Sequence, residues 1–259
     1  MEMQDFDDLA RQVADLILSS KRIVVFTGAG VSTESGIPDF RSSGGIWSRF
    51  DPDDFTYQKF VSDVDARRKH WQLLGEGSLT TDAKPNPAHF AIAELDRMGM
   101  LDCVITQNVD NLHQKAGLAD EKVFELHGNL LWAECLSCGQ RYPFDQMVVR
   151  LGQGEEIPDC ESCHGILKPA AVFFGEALPT DVLMEATRRA QSSDLCIVIG
   201  STLVVYPAAY MPQYAVSNGA KLVIINLSST PMDGDADVLI RAKAGDTMAR
   251  VMERVREAR

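Results

Sequence analysis

The sequence predicts an α/β protein built on a doubly wound, Rossmann-like parallel sheet that carries a smaller second lobe. Apolar runs that are continuous rather than alternating recur along the chain, as in strands that are covered on both faces. Helical stretches separate several of these runs, which is the order of parallel strands joined by crossover helices. The run at 23–27 leads into the glycine turn at 28–30 and a helix start, an arrangement that presents backbone N–H groups to a phosphate.

The remaining elements follow in order along the chain. Apolar residues at helical spacing from Phe6 to Ile17 predict an opening amphipathic helix. Asn86 and Pro87 are typical of a helix N-cap and first turn, and Gly99 is typical of a helix stop. Other helices are predicted near 180–191, 207–217 and 246–258, and strands at 23–27, 104–106, 122–126, 195–199, 222–225 and 238–240.

Two insertions interrupt this pattern. Residues 41–82 are polar and partly helical in character, and residues 132–168 contain four cysteines. We expect the two insertions to form the small lobe, with a cleft between it and the rest of a single domain that spans 1–259. The large lobe is then expected at about 1–40, 83–131 and 169–259.

The net charge and the hydropathy of the chain indicate which classes of partner it can bind. The net charge of −12 over 259 residues disfavours nucleic acids and anionic membrane surfaces. It favours cationic partners such as lysine-rich protein segments, although acidic charge that serves only solubility explains it equally well. The acidic N-terminus does not have the pattern of a signal peptide, and no apolar run has the length of a membrane span. We therefore expect a cytoplasmic protein, assume a monomer, and expect no direct nucleic-acid or membrane partner.

Four cysteines predict a metal site. Cys135/Cys138 and Cys160/Cys163 form two Cys-x2-Cys pairs separated by 21 residues. In a cytosolic chain this pattern favours a metal over disulfides. Four thiolates fill the tetrahedral positions of zinc and leave none for a substrate, so a structural zinc ion is predicted. Free thiols or a redox pair are the alternatives.

The other cysteines and most histidines are expected to be structural. Cys103 and Cys196 lie in predicted strands, where cysteine usually acts as a small core residue. His164 adjoins a cysteine but is expected in an exposed loop. Packing or solvent-facing roles are expected for His70, His89 and His113.

Polar residues follow two of the predicted strands. Gln107, Asn108 and Asp110 come after the strand that ends at Thr106, and His127 follows the next strand. Ligands of doubly wound sheets bind beyond the carboxyl ends of strands, so Asn108 and Asp110 are expected at the same crevice as the glycine turn. A histidine there can act as a general base near neutral pH. Either motif alone is more typical of a turn or cap, but together they predict a catalytic nucleotide site.

The glycine turn departs from the usual dinucleotide fingerprint. Gly28 and Gly30 fit G-x-G-x-x-G, but Thr33 occupies the third glycine position, and Pro-Asp-Phe-Arg follows at 38–41. The sheet context for an acidic ribose ligand about twenty residues past the turn is also missing. These departures disfavour an ordinary dehydrogenase and indicate chemistry other than hydride transfer.

The motifs together resemble those of the sirtuins. They occur in the family's order over nearly the whole chain: 28–32, 36–41, 106–110, 126–128, the two cysteine pairs, 172–176, 200–207 and Asn226. The resemblance implies NAD-dependent removal of acyl groups, above all acetyl, from protein lysine side chains. NAD would be a co-substrate: nicotinamide leaves, and the acyl group is transferred to ADP-ribose.

The resemblance also implies roles for individual residues. His127 would be the catalytic base that accepts a proton from a ribose hydroxyl. Asn108 and Asp110 would orient the nicotinamide amide and the ribose hydroxyls, with Ile37 beside them. The residues implied in NAD binding are Gly28, Ala29, Gly30, Asp39, Phe40, Arg41, Gln107, Asn108, Asp110, Gly200, Ser201, Asn226 and Leu227.

For the acyl-lysine substrate, the resemblance implies a tunnel lined by Val172 and Phe174. The substrate backbone would pair as an added strand between Gly175-Glu176 and Leu203-Val204.

The acyl group is expected to be neutral. Sirtuins that prefer succinyl- or malonyl-lysine resemble one another in a Tyr-x-x-Arg motif, and those two positions fall at Leu74 and Gly77 here. Neither side chain can bind a carboxylate.

Two alternative functions remain. A mono-ADP-ribosyltransferase or NAD glycohydrolase would cleave the same nicotinamide–ribose bond of NAD. A non-catalytic NAD-sensing zinc module would bind NAD without cleaving it. The complete set of Asn108, Asp110 and His127 disfavours a module that only binds, because binding alone needs no base.

Overall fold

A computed structural model describes residues 3–75 and 83–259 of the chain. Its strands are β1 Ile23–Thr27, β2 Leu101–Thr106, β3 Val123–Glu125, β4 Gly128–Cys135, β5 Arg141–Pro143, β6 Leu167–Ala171, β7 Leu195–Ile199, β8 Lys221–Ile225 and β9 Val238–Ile240. Its α-helices are α1 Met3–Ser19, α2 Tyr57–Ser62, α3 Val64–Gly75, α4 Pro87–Arg97, α5 Leu112–Lys115, α6 Phe144–Gly152, α7 Thr180–Ser192, α8 Tyr210–Ser217 and α9 Ala244–Glu257. Across these two ranges, no helix is long and apolar enough to cross a membrane.

The larger sheet confirms the predicted doubly wound fold. Within the described part of the chain, it contains six parallel strands in the order β3-β2-β1-β7-β8-β9. Helices cover both faces: Val25 and Ile197 pack in a core with α1, α4 and α9, and Val24 and Cys196 pack in a second core with α7 and α8. Burial on both faces explains why the strands are largely apolar.

A second, antiparallel sheet forms the centre of the smaller lobe. Its described strands are ordered β5-β4-β6, and they extend from Gly128 to Ala171, a few residues beyond each end of the insertion at 132–168. Trp71 of α3 stacks on Phe144 of α6 at 6.3 Å between ring centroids. This contact joins the two insertions, because α3 belongs to the first of them and α6 to the second.

The chain after β1 differs from the predicted helix start. Two short 3-10 turns, Ala29–Val31 and Thr33–Ser35, take the place of an α-helix. Gly36 then adopts a left-handed conformation with φ of 87°, and Pro38 has no N–H to donate to a helix. The turn therefore leaves the sheet as a loop that can follow the cleft.

Asn86 anchors this loop to α4. Its Oδ1 accepts a hydrogen bond from Ala88 N at 2.9 Å, so Asn86 is the predicted N-cap. Its Nδ2 donates to Val31 O at 2.8 Å and to Ser35 Oγ at 3.0 Å. One side chain thus caps a helix and fixes both 3-10 turns.

Replacing Asn86 with Ala should lower the free energy of unfolding by about 2–4 kcal/mol. The cap contributes about 1 kcal/mol, and the buried carbonyl of Val31 loses its donor at a cost of about 1–3 kcal/mol. Urea unfolding measures the change. Asn218→Ala is the matched control, because the exposed Asn218 amide donates to Tyr214 O, and a change within about 0.5 kcal/mol is expected there. Equal effects of the two substitutions would contradict this role of Asn86.

Candidate functional site

A cleft of about 440 Å³ lies at the carboxyl ends of the parallel strands. Gly28 follows β1, Gln107 follows β2, His127 follows β3, Gly200 follows β7 and Asn226 follows β8. The cleft brings together all residues that the sequence suggested for NAD and for catalysis, namely Gly28, Ala29, Gly30, Asp39, Phe40, Arg41, Gln107, Asn108, Asp110, His127, Gly200, Ser201, Asn226 and Leu227.

The floor of the cleft is a close contact between two backbone turns. Gly30 N donates to Gly200 O at 2.8 Å. A Cβ on Gly30 would lie 2.8 Å from Gly200 Cα, and a Cβ on Gly28 would lie 2.9 Å from Gly200 O. Gly200 itself has φ of 65°, and a Cβ there would overlap Val31 N. All three glycines are required for this packing, which leaves bare backbone where a pyrophosphate can approach.

Asn108 and Asp110 are held in fixed orientations beside the glycine turn. Asn108 Nδ2 donates to Gly28 O and to Ser32 Oγ, each at 3.2 Å. Ser32 Oγ in turn donates to Asp110 Oδ2 at 2.7 Å, and Leu112 N donates to Asp110 Oδ1 at 3.0 Å. Sequence reasoning did not identify Ser32 as a site residue, although its place in the motif at 28–32 was the available signal. It joins the glycine turn to the polar residues after β2.

His127 is oriented by a backbone carbonyl. Its Nδ1 lies 2.9 Å from Gln107 O. Because a carbonyl can only accept, Nδ1 carries the proton, and Nε2 of the neutral ring is left as an acceptor. Burial lowers the pKa of His127 below its ordinary value, and the hydrogen bond to Gln107 opposes this shift in part. The ring is therefore neutral near pH 7 and able to accept a proton.

Other hydrogen bonds fix the loops on the β7 and β8 side. Gln107 Nε2 donates to Ser201 Oγ at 2.8 Å, which joins the loop after β2 to the loop after β7. Asn226 Nδ2 donates to Ser228 O at 2.8 Å. Lys243, at the start of α9, also lines the cleft and was missed by sequence reasoning, because its position depends on how α9 packs against the turn.

The segment 38–41 forms a compact loop over one side of the cleft. Asp39 Oδ1 accepts hydrogen bonds from the backbone N–H groups of Arg41 and Ser42, at 3.0 and 2.8 Å. The Phe40 ring packs 5.2 Å from Trp47 between centroids. Arg41 is exposed, so its guanidinium is accessible to an anionic ligand.

The substrate residues suggested by the sequence fall into two groups. Val172, Phe174, Gly175 and Glu176 line the cleft. Leu203 and Val204 are not among its lining residues, whereas their neighbours Thr202 and Val205 are. The Leu203 side chain is buried in the core beneath the large sheet, so a peptide could use only the backbone at this position.

Of the two positions considered for acidic acyl groups, one lies within the described residues. Leu74 lines the cleft as a buried apolar side chain, and Gly77 lies outside the described residues.

The four paired cysteines converge as predicted. All four Sγ atoms lie within 4.8 Å of one another, with Cys135 and Cys163 at 3.5 Å and Cys138 and Cys160 at 3.6 Å. Zn–S bonds of about 2.3 Å in a tetrahedron place sulfurs about 3.8 Å apart, so this donor set fits zinc. His164 points away into solvent, with Nδ1 3.0 Å from Asp159 Oδ2, as expected for a loop residue.

His70 lines the cleft and is enclosed by three aromatic rings. Its ring centroid lies 4.6 Å from that of Phe173, 5.4 Å from Phe55 and 5.5 Å from Phe60. Burial, aided by the charge of Lys168, lowers the pKa of His70 to about 4. His89 and His113 are buried as well, and burial lowers their pKa values to about 4 and about 3. All three histidines are buried; His70 also lines the cleft, and His89 Nδ1 accepts a hydrogen bond from Asn86 N.

Comparisons with known proteins point to one family. The Sir2 family model matches residues 28–207. An NAD-dependent protein deacetylase of Rhodopseudomonas palustris is 46% identical over 92% of this chain and 93% of its own. NAD-dependent protein deacylase 2 of Archaeoglobus fulgidus is 42% identical over 98% of both chains. A solved Sir2 complex with a p53 peptide and NAD+ has a TM-score of 0.85 at 39% identity and covers 98% of each chain.

Replacing Cys135 with Ala should release the metal. Three thiolates remain, so zinc content should fall from about one per chain towards zero, and thermal stability should drop because the small lobe loses its crosslink. Metal analysis and circular dichroism measure both effects. Cys103→Ala is the control, since Cys103 is a buried cysteine outside the cluster and its loss should leave the zinc content unchanged. Retention of full zinc and of the original melting temperature by Cys135→Ala would contradict the site.

The buried histidines should make stability fall in acid. An unfolded histidine binds a proton near pH 6.5, whereas folded His70 does so near pH 4. Between these values the unfolded chain binds more protons, so the free energy of unfolding decreases as the pH falls through this window. Each such histidine contributes up to about 1.4 kcal/mol per pH unit.

Urea unfolding at several pH values measures this slope. His70→Phe keeps an aromatic ring among Phe55, Phe60 and Phe173, and it should lower the slope by the share of one histidine. An unchanged slope would show that His70 is protonated in the folded protein.

Proposed function

The chain belongs to the Sir2 family, and from this premise we propose that its cleft removes acyl groups from protein lysine side chains and consumes NAD. The products are nicotinamide, the free lysine and an O-acyl-ADP-ribose. The proposal depends mainly on the position of His127. Its Nδ1 donates a hydrogen bond to Gln107 O, which leaves the ring neutral, and the ring lines the same cleft as the glycine turn. A protein that only binds NAD has no use for such a base.

His127 acts as the general base. Its unprotonated Nε2 takes a proton from a ribose hydroxyl, and that hydroxyl then attacks the carbon of the captured acyl group. The lysine amine leaves this carbon, and one water molecule adds to give the O-acyl-ADP-ribose. A histidine contributes most as a base when it is unprotonated and its pKa lies near the working pH. The carbonyl of Gln107 accepts from Nδ1 and so stabilises the imidazolium as it forms.

Asn108 and Asp110 orient the NAD for cleavage of its nicotinamide–ribose bond. Both side chains are largely buried, at 8% exposure, and the bonds through Ser32 hold them before NAD arrives. The amide can pair with the nicotinamide carboxamide, and the carboxylate can accept from ribose hydroxyls. Positioning of this kind lowers the barrier because the reacting groups meet in a set geometry. The amide oxygen of the acyl-lysine then takes the place of nicotinamide at C1′.

The zinc ion has a structural role. Cys135, Cys138, Cys160 and Cys163 would hold it and fill its coordination positions, so no position is open for substrate. It joins the end of β4 to the loop that precedes β6.

Neutral acyl groups, acetyl first, are the proposed substrates. The inner wall of the cleft is apolar where it contains Phe55, Leu74, Leu130 and Phe173, and burial keeps His70 neutral. A carboxylate on the acyl group would lose its hydration against these apolar side chains. A cytoplasmic location and a monomeric chain remain predictions.

Replacing His127 with Ala should lower the deacetylation rate by about 10²–10⁴-fold, because the substitution removes the general base. Zinc content and melting temperature should not change. His164→Ala, which removes an exposed histidine next to the zinc site, is the matched control and should keep full activity. For the unaltered protein, the rate should fall as the pH drops through the depressed pKa of His127, below 6.5. Full activity of His127→Ala would refute the base role.

A further inference from the structure

Lys168 is a buried lysine at the start of the segment that lines the acyl-lysine side of the cleft. Its side chain is only 8% exposed. Nζ donates to Pro169 O at 3.0 Å and to Ala171 O at 2.6 Å, and it lies 3.1 Å from Glu176 Oε2. An ammonium group has three N–H donors, and these three acceptors account for all of them. A buried cation that is fully paired fixes the groups around it, because leaving any of them unpaired is costly.

The Lys168–Glu176 pair encloses Phe173. The Lys168 ammonium lies 4.4 Å from the centroid of the Phe173 ring, and Glu176 Oε2 also accepts from Phe173 N at 2.9 Å. Gly175 has φ of 81°, a conformation that lets the chain turn back so that Glu176 reaches Lys168. The Lys168–Glu176 ion pair therefore links the end of the segment 172–176 to the strand that precedes it.

Two further contacts tie this segment to the rest of the site. Val172 N donates to His127 O at 2.8 Å. Phe174 N donates to Phe55 O at 3.2 Å, and Phe174 O accepts from Tyr57 N at 2.9 Å. The positions of Val172 and Phe174 in the cleft thus depend on the backbone conformation that the Lys168–Glu176 ion pair stabilises.

We propose that Lys168 is a positioning residue for the acyl-lysine substrate: its ion pair with Glu176 holds Val172 and Phe174 in the arrangement that accepts the acyl chain. This inference rests on the proposed function. Apart from Asp39, Phe40 and Arg41, the residues assigned to NAD directly follow strands of the larger sheet, whereas Lys168 belongs to β6 of the smaller sheet. Loss of the pair should therefore weaken peptide binding and leave NAD binding intact.

The test compares Lys168→Met with Lys122→Met. Lys122 makes the same kinds of contact, since its Nζ donates to Leu101 O at 3.1 Å and Asp102 O at 3.2 Å and lies 3.4 Å from Asp96 Oδ1. It precedes β3, at the opposite end of the strands from the cleft. Both substitutions remove a lysine paired with two carbonyls and a carboxylate, so both should lower the melting temperature.

Of the two variants, only Lys168→Met is expected to weaken binding of the peptide while leaving binding of NAD unchanged. The KM and the Kd of an acetyl-lysine peptide should rise on the order of tenfold, which corresponds to about 1.4 kcal/mol of lost binding free energy, and the KM of NAD should stay unchanged. Lys122→Met should shift neither constant. Calorimetric titration gives the peptide Kd without turnover. A wild-type protein that binds the peptide but does not deacetylate it would refute the proposed function and still allow this comparison.

Glu176→Gln provides a second variant in case Lys168→Met does not fold. The amide oxygen can still accept from Phe173 N, but the charge that pairs with Lys168 is gone. A smaller rise in the peptide Kd is expected, with zinc content retained. An unchanged peptide Kd in the folded variants, or equal losses of peptide and NAD binding, would overturn the proposal.

Discussion

The close contact between the turns at Gly30 and Gly200 is the constraint on which the site depends. The hydrogen bond from Gly30 N to Gly200 O, at 2.8 Å, brings together the carboxyl ends of β1 and β7, which are neighbours in the sheet. No side chain fits at either position without moving backbone. The same turn places Ser32 between Asn108 and Asp110. One backbone contact thus sets both the bare surface for a pyrophosphate and the orientation of the groups that act on the ribose.

The other half of the cleft depends on the short connection between the two sheets. His127 lies between β3 of the large sheet and β4 of the small one. Its ring is held by Gln107 O and its own carbonyl accepts from Val172 N. The base is therefore joined to the NAD side through one bond and to the acyl-lysine side through the other. This placement explains how a single residue can serve both substrates.

Much of this arrangement is readable in the sequence for a physical reason. The strands of the large sheet are buried on both faces, so their apolar runs stand out, and all six were predicted. The residues after those strands could be grouped because carboxyl ends of parallel strands share one edge. The antiparallel strands gave no such signal, since β4 exposes Leu131 and Trp132. The burial of Leu203 and the pairing of Lys168 with Glu176 depend on tertiary packing, which local pattern does not encode.

Product stoichiometry separates coupled deacylation from the other fates of NAD. The purified protein is incubated with NAD and an acetyl-lysine peptide, and nicotinamide, deacetylated peptide and O-acetyl-ADP-ribose are followed by mass spectrometry. Equal amounts of the three products are expected, with no deacetylation when NAD is left out. Loss of NAD without deacetylation would indicate a glycohydrolase or an ADP-ribosyltransferase. NAD and peptide that both remain intact would indicate a binding module, and either result would contradict a deacylase.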